Sequence, residues 1–186
     1  MNRIRVIEPD EATGRLKDIY DDLIKKRGKL ADVHKIQSLR PESIVAHMDL
    51  YMEIMFSKSE LSRAEREMMA VVVSIANGCE YCQMHHALAL NHFWKNDEKI
   101  SRLRTDFERA GLTTRELVLC SFASLLTVNP EAYRDEKYLT PLKKIDITDN
   151  GILDATLVVA YFNFVNRIVL ALGLEVTGNE MKGYKY

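Results

Sequence analysis

The chain has 186 residues, 47% of them hydrophobic and 28% charged, which is enough apolar material for a buried core without disulfide or metal staples. Its 26 Lys and Arg residues against 27 Asp and Glu residues give a formal net charge of -1, which excludes a global attraction to nucleic acid or to anionic membranes. The opening residues MNRIRVIEPD lack the apolar region of a secretory signal, and polar residues interrupt every apolar stretch well before the ~20 residues of a membrane span. We therefore expect a soluble, cytoplasmic protein with no nucleic-acid or membrane partner.

The apolar residues follow a helical period along the chain. The 8 glycines and 4 prolines fall mainly at the edges of segments with a 3.6-residue period, and no stretch alternates as a half-buried strand would. The sequence therefore predicts an all-α fold. The first helix is expected from Pro9 to Lys26, with Gly28 as its stop. Its apolar stripe consists of Leu16, Ile19, Tyr20, Leu23 and Ile24.

The next helices are marked by their start and stop signals. One begins at Pro41 and carries a stripe of Met and Tyr residues, which is more typical of a core or a subunit interface than of a cofactor site. Ser62 and Glu65 have the spacing of a capping box and predict a helix over residues 63–76. Asn77 and Gly78 end it, and another helix begins at once near residue 79.

Two more helices are predicted in the second half of the chain. Thr113 and Glu116 form another capping box and open RELVLCSFASLLTV, which Asn129 and Pro130 terminate. After a loop, Thr148 caps a long, largely apolar helix that ends at Gly173. Because its apolar residues cover most of the circumference, we place this helix centrally or at a subunit contact.

The segment NGCEYCQMHH, residues 77–86, holds two of the three cysteines in the chain. If it is helical, Cys79, Cys82 and His86 lie on one face. The first turn of a helix favours a thiolate, but the dipole supplies only ~1 kcal/mol, less than one pKa unit. His86, one turn beyond Cys82, is a candidate proton acceptor.

Other roles for this cluster fit the sequence less well. A structural zinc site needs four convergent ligands, and His85 and His86 point about 100° apart on a helix. Haem attachment requires a histidine where Gln83 stands, and a thioredoxin-like motif requires a βαβ pattern that the chain lacks. Cys120 is expected to be a buried core residue. No partner is predicted for His34, His47 or His92.

Glu67 lies in the helix that precedes the cysteines. Judged by its own helix alone, it is most simply a solvated surface residue. If the chain reverses at Gly78, however, its carboxylate can reach the thiols at the start of the next helix.

The arrangement of Glu67, eleven residues, then Cys79-x-x-Cys82-x-x-x-His86 resembles the signature of AhpD-like alkylhydroperoxidases, in the peroxidase-related branch of the carboxymuconolactone decarboxylase superfamily. The flanking sequences LSRAEREMMAVVVSIANGCEYCQMHHALAL and AYFNFVNRIVLALGL are also similar to this family. The resemblance implies one all-α domain over residues 1–186, with a helical arm at 1–40, a core at 41–175 that contains a helical hairpin, and a polar tail at 176–186. It also implies a homo-oligomer, a trimer or hexamer, without a haem or metal cofactor.

The resemblance further implies a thiol-dependent peroxidase. Cys82 would attack the hydroperoxide and become a sulfenic acid, Cys79 would resolve it as a disulfide, and Glu67 and His86 would relay protons. An external dithiol, lipoyl-bearing or thioredoxin-like, would then reduce the disulfide. Family members carry a histidine where this chain has Tyr81, a poor proton acceptor, which predicts a lower peroxide rate. Two alternatives remain open: a lactone enzyme of the carboxymuconolactone decarboxylase type, and a non-catalytic thiol redox sensor.

Overall fold

The structure is a computed structural model that describes residues 2–176. These residues form nine α-helices and three short 3-10 turns, with no strand among them, which confirms the all-α prediction. The helices are α1 (Gly14–Arg27), α2 (Asp32–Lys35), α3 (Pro41–Phe56), α4 (Arg63–Ala76), α5 (Glu80–Trp94), α6 (Asp97–Thr105), α7 (Thr114–Val128), α8 (Thr140–Lys144) and α9 (Asp149–Leu172). The turns are Phe107–Arg109, Pro130–Arg134 and Glu136–Leu139.

The start and stop signals in the sequence are realised as predicted. Both capping boxes form in full, with the Ser62 hydroxyl and the Glu65 carboxylate each accepting a backbone N–H of the other residue, and likewise for Thr113 and Glu116. Thr148 caps α9, which ends at Gly173 in the left-handed conformation. These local signals are dependable because each satisfies backbone groups that a helix end leaves unpaired.

Three details differ from the sequence predictions. Helix α1 begins at Gly14 rather than Pro9, because residues 9–11 form a turn that the Glu11 N–H closes on the Glu8 carbonyl. Ile24 is 42% exposed and does not belong to the buried stripe. Helices α2, α6 and α8 were not predicted: α2 buries no residue and α6 and α8 bury one leucine each, so none of them has an apolar period to detect.

Helix α4 lies at the centre of the bundle. It packs against α5, α7 and α9, and nine consecutive residues from Arg66 to Ser74 are buried. Because this buried run covers more than two turns, α4 is stabilised mainly by the apolar area that it removes from water. Any polar side chain in this run must therefore find a partner inside the protein.

The turn between α4 and α5 brings the two helices together. Gly78 has a φ of +68°, in the left-handed region that a residue with a Cβ adopts only with strain. The Asn77 side chain donates to Asn163 Oδ1 at 3.1 Å and to Asn166 Oδ1 at 3.0 Å, which joins the turn to α9. The Cys79 N–H donates to the Ser74 carbonyl at 2.8 Å, so α5 starts directly against the end of α4.

Helix α9 is a core helix of the bundle. Its length and its mean hydropathy of 1.7 would suit a membrane span, but 44% of its apolar window is buried by other parts of the protein, and it packs on α3, α4, α5 and α7. Some of its large apolar side chains face solvent in the single chain: Leu153, Leu157, Phe164 and Leu170. The expected trimer or hexamer stays a prediction.

A second apolar cluster joins α1 to α3. Its buried members include Leu16, Ile19, Tyr20, Leu23, Ile44 and Met48. The cluster combines residues of the expected arm with residues of the expected core, and the division of the domain at residue 40 stays a prediction. The polar tail predicted over residues 176–186 lies outside the described residues except for Val176.

A buried histidine joins α3 to α9. The His47 Nε2 atom lies 2.7 Å from the Tyr161 hydroxyl, and its Nδ1 atom lies 2.8 Å from Gln37 Nε2. The sequence predicted no partner for His47, because Gln37 lies before α3 and Tyr161 lies 114 residues away, so neither shares a helix with His47. Burial disfavours the charged ring and lowers the pKa of His47 from 6.5 to about 4.

This shift makes the stability of the fold depend on pH. Because the pKa of His47 is lower in the folded chain than in the unfolded one, the unfolded chain binds a proton first as the pH falls. The neutral His47 ring contributes fully to the free energy of unfolding above about pH 6.5, and this contribution decreases as the pH falls to about 4. About 2 kcal/mol of it is lost between about pH 7 and pH 5. We expect His47→Gln to flatten this dependence in urea unfolding experiments. The matched control is His92→Gln, at an exposed histidine, and equal pH slopes for all three proteins would contradict the prediction.

Candidate active site

The two close cysteines form a hydrogen-bonded pair at the start of α5. Cys79 is the N-cap residue, Cys82 lies in the first turn, and their sulfur atoms are 2.8 Å apart. Both are free thiols and both are buried, with exposed fractions of 0% and 2%. With both thiols protonated, Cys79 donates to the Cys82 sulfur. Once Cys79 has lost its proton, the Cys82 thiol is the donor of this contact. The predicted proximity of the two sulfurs thus follows from the helical spacing.

The two thiols have opposite tendencies to ionise. The hydrogen bond from the Cys82 thiol lowers the pKa of Cys79 despite burial, and the Cys82 backbone N–H adds to this effect. Cys82 is the donor, is buried and lies beside the Cys79 charge, and all three effects raise its pKa. Asn166 on α9 partly offsets them through a hydrogen bond to Cys82. When the pair loses a proton, the negative charge therefore lies on Cys79 and Cys82 keeps its proton.

A cavity of about 100 Å³ lies next to the pair. Of the two sulfurs, Cys82 lines this cavity, whereas Cys79 is fully buried behind it. The wall is largely aromatic, formed by Tyr51, Phe56, Tyr81, Tyr161 and Phe162. Two arginines also line it, and Arg63 places its guanidinium 3.7 Å from the centre of the Phe56 ring. The cavity offers an apolar binding space with one sulfur at its surface.

Glu67 is fully buried rather than solvated, so the interpretation based on its own helix alone is wrong. Its Oε2 atom lies 2.6 Å from His86 Nδ1, and its Oε1 atom accepts from Arg63 Nε at 2.9 Å. Burial opposes its ionisation, but the attraction and hydrogen bonds of His86 and Arg63 outweigh burial and lower the pKa of Glu67. The carboxylate is therefore ionised and can only accept hydrogen bonds.

The pairing with Glu67 sets the state of His86. Because the carboxylate accepts, Nδ1 of His86 carries a hydrogen, and in the neutral ring Nε2 is the basic nitrogen. The ring packs edge-on against Phe162, with centroids 4.5 Å apart, and lines the cavity. Within residues 2–176 no hydrogen bond joins His86 to either sulfur. The structure thus gives two separate pairs, thiol with thiol and carboxylate with imidazole.

Tyr81 also lines the cavity. It stands where the resembled family carries a histidine, and its ring centroid lies 4.4 Å from that of His85. His85 therefore reaches the same cavity as His86, although the two are adjacent in sequence. In the part of the chain that the structure describes, no group of three His, Cys, Asp or Glu side chains is placed to hold a metal ion.

Sequence reasoning missed several residues of the site. Asn166 supports Cys82 and also donates to Ser74 Oγ at 3.2 Å, and an asparagine inside an otherwise apolar helix was the available signal. Tyr161 and His47 line the cavity from α9 and α3. They were missed because they are far from Cys82 in sequence: His47 precedes it by 35 residues and Tyr161 follows it by 79.

Comparison with known proteins supports the resemblance seen in the sequence. Residues 41–124 match the sequence profile of the carboxymuconolactone decarboxylase family, a segment that contains Glu67, both cysteines of the pair and His86. No curated protein sequence gives a significant match.

Several solved structures share the fold. An uncharacterized peroxidase-related protein from Silicibacter sp. TM1040 is 25% identical, with a TM-score of 0.83 and 100% of each chain covered. An AhpD-core peroxidase-related protein from Ralstonia eutropha JMP134 is 22% identical, with a TM-score of 0.86 and coverage of 97% of this chain and 94% of that one. The debrominase Bmp8 is 19% identical, with a TM-score of 0.77 and coverage of 94% and 92%.

The profile match covers the helices that carry the cysteine pair and its carboxylate, and the structural matches extend along nearly the whole chain. This chain therefore resembles the carboxymuconolactone decarboxylase family over residues 41–124 and has the fold of AhpD-like, peroxidase-related proteins.

Proposed function

We propose that the protein is a thiol-dependent peroxidase that reduces organic hydroperoxides through Cys79 and Cys82, with Glu67 and His86 as its proton relay. The observation that carries this proposal is the pair of reduced sulfurs 2.8 Å apart, one of which opens on an apolar cavity. Two thiols at this distance can form a disulfide with little movement of the chain.

The proposed reaction consumes both thiols and one hydroperoxide. The Cys82 thiolate attacks the terminal peroxide oxygen, an S–O bond forms, the O–O bond breaks, and the departing alkoxide gains a proton to become an alcohol. The Cys79 thiolate then attacks the Cys82 sulfenic sulfur, an S–S bond forms, and water leaves after protonation. A lipoyl-bearing or thioredoxin-like dithiol returns both cysteines to thiols and is itself oxidised. The reducing cytoplasm suits this cycle.

The roles of the two cysteines follow from access rather than from acidity. Cys79 holds the first negative charge, but only Cys82 meets the cavity. The Cys79 thiolate accepts the hydrogen of the Cys82 thiol across the 2.8 Å contact, and moving this proton to Cys79 produces the nucleophile at the cavity surface. Asn166 stabilises the new charge by its hydrogen bond to Cys82.

Glu67 and His86 suit a proton relay because they are paired and desolvated. The buried carboxylate accepts from Nδ1 of His86 and fixes the tautomer and orientation of the ring, as the aspartate of a catalytic triad does. His86 lines the cavity, so Nε2 is the nitrogen that exchanges protons with the reacting groups. The relay takes up the proton of the thiol pair and returns it to the departing alcohol or water.

The lining of the cavity favours an organic hydroperoxide over hydrogen peroxide. Its aromatic rings would gain free energy by covering an apolar group, whereas hydrogen peroxide has none to bury.

Replacement of each cysteine tests the assigned roles. We expect Cys82→Ser to lower hydroperoxide consumption by about a thousandfold or more, because the nucleophile is lost. Cys79→Ser should still form a Cys82 sulfenic acid, detected by mass spectrometry as one dimedone adduct, but should not turn over. Cys120→Ser is the matched control, because that thiol is fully buried away from the cavity.

Other outcomes would contradict this assignment. A sulfenic acid on Cys79 in Cys82→Ser, with none on Cys82 in Cys79→Ser, would reverse the two roles. Lactone decarboxylation that survives in Cys82→Ser would favour the lactone enzyme. Stoichiometric oxidation of the wild-type pair without sustained consumption of dithiol would favour a redox sensor.

Substitution of the relay tests its contribution. We expect Glu67→Gln and His86→Gln each to lower kcat/KM for cumene hydroperoxide by about 100-fold, the usual magnitude for a lost general acid or base. The double variant should be little worse than either single variant, because the two side chains act as one unit. Glu53→Gln, at an exposed glutamate of α3, is the matched control. Additive losses in the double variant would show that the two residues act independently.

The aromatic wall of the cavity favours a second candidate, the reductive removal of halogen from a small aromatic ring. The debrominase Bmp8 shares the fold, and a cysteine-to-alanine variant of it is in complex with 2,3,4-tribromopyrrole. The reaction balances if C–Br becomes C–H while two thiols become a disulfide and release bromide and a proton. Bromide release from tribromopyrrole that outpaces hydroperoxide consumption would favour this candidate.

A further inference from the structure

The contact between Gln37 and His47 fixes the tautomer of the histidine. Nε2 of Gln37 lies 2.8 Å from the Val33 carbonyl oxygen and 2.8 Å from Nδ1 of His47. A carbonyl oxygen only accepts hydrogen bonds, so the amide atom facing it must be the nitrogen. An amide NH₂ donates two hydrogens and accepts none, so Nδ1 of His47 must be an acceptor. The neutral ring therefore carries its hydrogen on Nε2.

This tautomer fixes the direction of the next hydrogen bond. The ring is neutral because burial lowers the pKa of His47 to about 4. Its Nε2–H donates to the Tyr161 oxygen at 2.7 Å, so the hydrogen of the Tyr161 hydroxyl points elsewhere. Among the hydrogen bonds of residues 2–176, none uses this hydrogen. A phenol that is 5% exposed thus retains a donor with no acceptor in the described protein.

The free donor lies in the wall of the cavity that holds the reactive sulfur. Tyr161 and Cys82 both line this cavity, and the neighbouring Phe162 contacts the ring of His86. Burial, together with the nearby Tyr51 and Cys82, raises the pKa of Tyr161, so the phenol keeps its proton when Cys82 is negatively charged. An unsatisfied buried donor carries a free-energy cost that a bound oxygen atom would remove.

We infer that Tyr161 is a catalytic hydrogen-bond donor that contacts the departing oxygen of the substrate, with His47 and Gln37 as positioning residues. The inference rests on the proposed peroxidase function. When Cys82 forms the S–O bond and the O–O bond breaks, negative charge develops on the departing oxygen, and the Tyr161 hydroxyl stabilises it. The proton that completes the alcohol is the one released by the thiol pair, so Tyr161 ends each cycle as a phenol.

The dependence on the leaving group tests this role. We expect Tyr161→Phe to slow the oxidation of Cys82 by cumene hydroperoxide about 100-fold, the usual magnitude for one lost oxyanion donor. It should slow oxidation by peracetic acid far less, because the departing carboxylate needs little stabilisation. Reaction with methyl methanethiosulfonate, whose departing group is a sulfinate, should not change. Tyr133→Phe is the matched control, since that hydroxyl donates to the Phe122 carbonyl.

The positioning residues have a spectroscopic test. In the wild type, ¹⁵N NMR of His47 should show the hydrogen on Nε2. Gln37→Met removes the donor to Nδ1, which lets the ring move its hydrogen to Nδ1 and accept from Tyr161 at Nε2. We expect this variant to show the shifted tautomer and the same selective loss with cumene hydroperoxide. A merely structural role would change neither the tautomer nor the ratio of the two peroxide rates.

The possible failures are distinguishable. Equal effects of Tyr161→Phe on both peroxides, or no effect on either, would overturn the role of Tyr161 while leaving the peroxidase function intact. A hydrogen on Nδ1 of wild-type His47 would also overturn the role of Tyr161 and leave the peroxidase function intact. Absence of any reaction between the wild-type protein and hydroperoxides, with normal reaction towards methyl methanethiosulfonate, would overturn the proposed function and this role together.

Discussion

A carboxylate buried in the centre of a helical bundle is the constraint on which the site depends. Glu67 has no exposed surface, so its charge persists only because Arg63 and His86 neutralise it and saturate its oxygens. Removal of one partner from such a pair costs about 3–5 kcal/mol in general, which holds α4 and α5 in one relative position. This packing orients the imidazole along the face of α5 that also carries Cys82, and the geometry of the site follows from it.

The cost of a negative charge on the buried thiol pair is the second electrostatic constraint on the site. A buried thiolate is unfavourable in an apolar environment, yet the hydrogen bonds from the Cys82 thiol and the Cys82 backbone N–H lower the pKa of Cys79. The charge then lies on the sulfur that the cavity does not reach, next to the sulfur that it does. In the proposed chemistry one sulfur carries the negative charge and the other reaches the substrate. This explains why two cysteines serve the reaction better than one.

A chain of neutral polar groups also reaches the cavity, through Tyr161 and His47. The chain runs from the Val33 carbonyl through Gln37 and His47 to Tyr161. Because the carbonyl can only accept, the donor and the acceptor of each hydrogen bond along the chain are fixed. In the proposed mechanism, the charged pair of α4 and α5 moves protons and the neutral chain presents a hydrogen-bond donor. Keeping His47 uncharged stabilises the fold at neutral pH and fixes this direction at the same time.

The sequence by itself determined the all-α class, most helix boundaries and the pairing of Cys79 with Cys82, because capping boxes and helical spacing act over a few residues. It marked His86 as one turn from Cys82, but Glu67 entered the site only through a family resemblance, since its own helix indicated a solvated residue. Helices α6 and α8 escaped prediction because their apolar contacts are few. Only the tertiary structure decided which sulfur meets the cavity and that Tyr161, His47 and Gln37 form one chain, because those contacts depend on how α3, α5 and α9 pack.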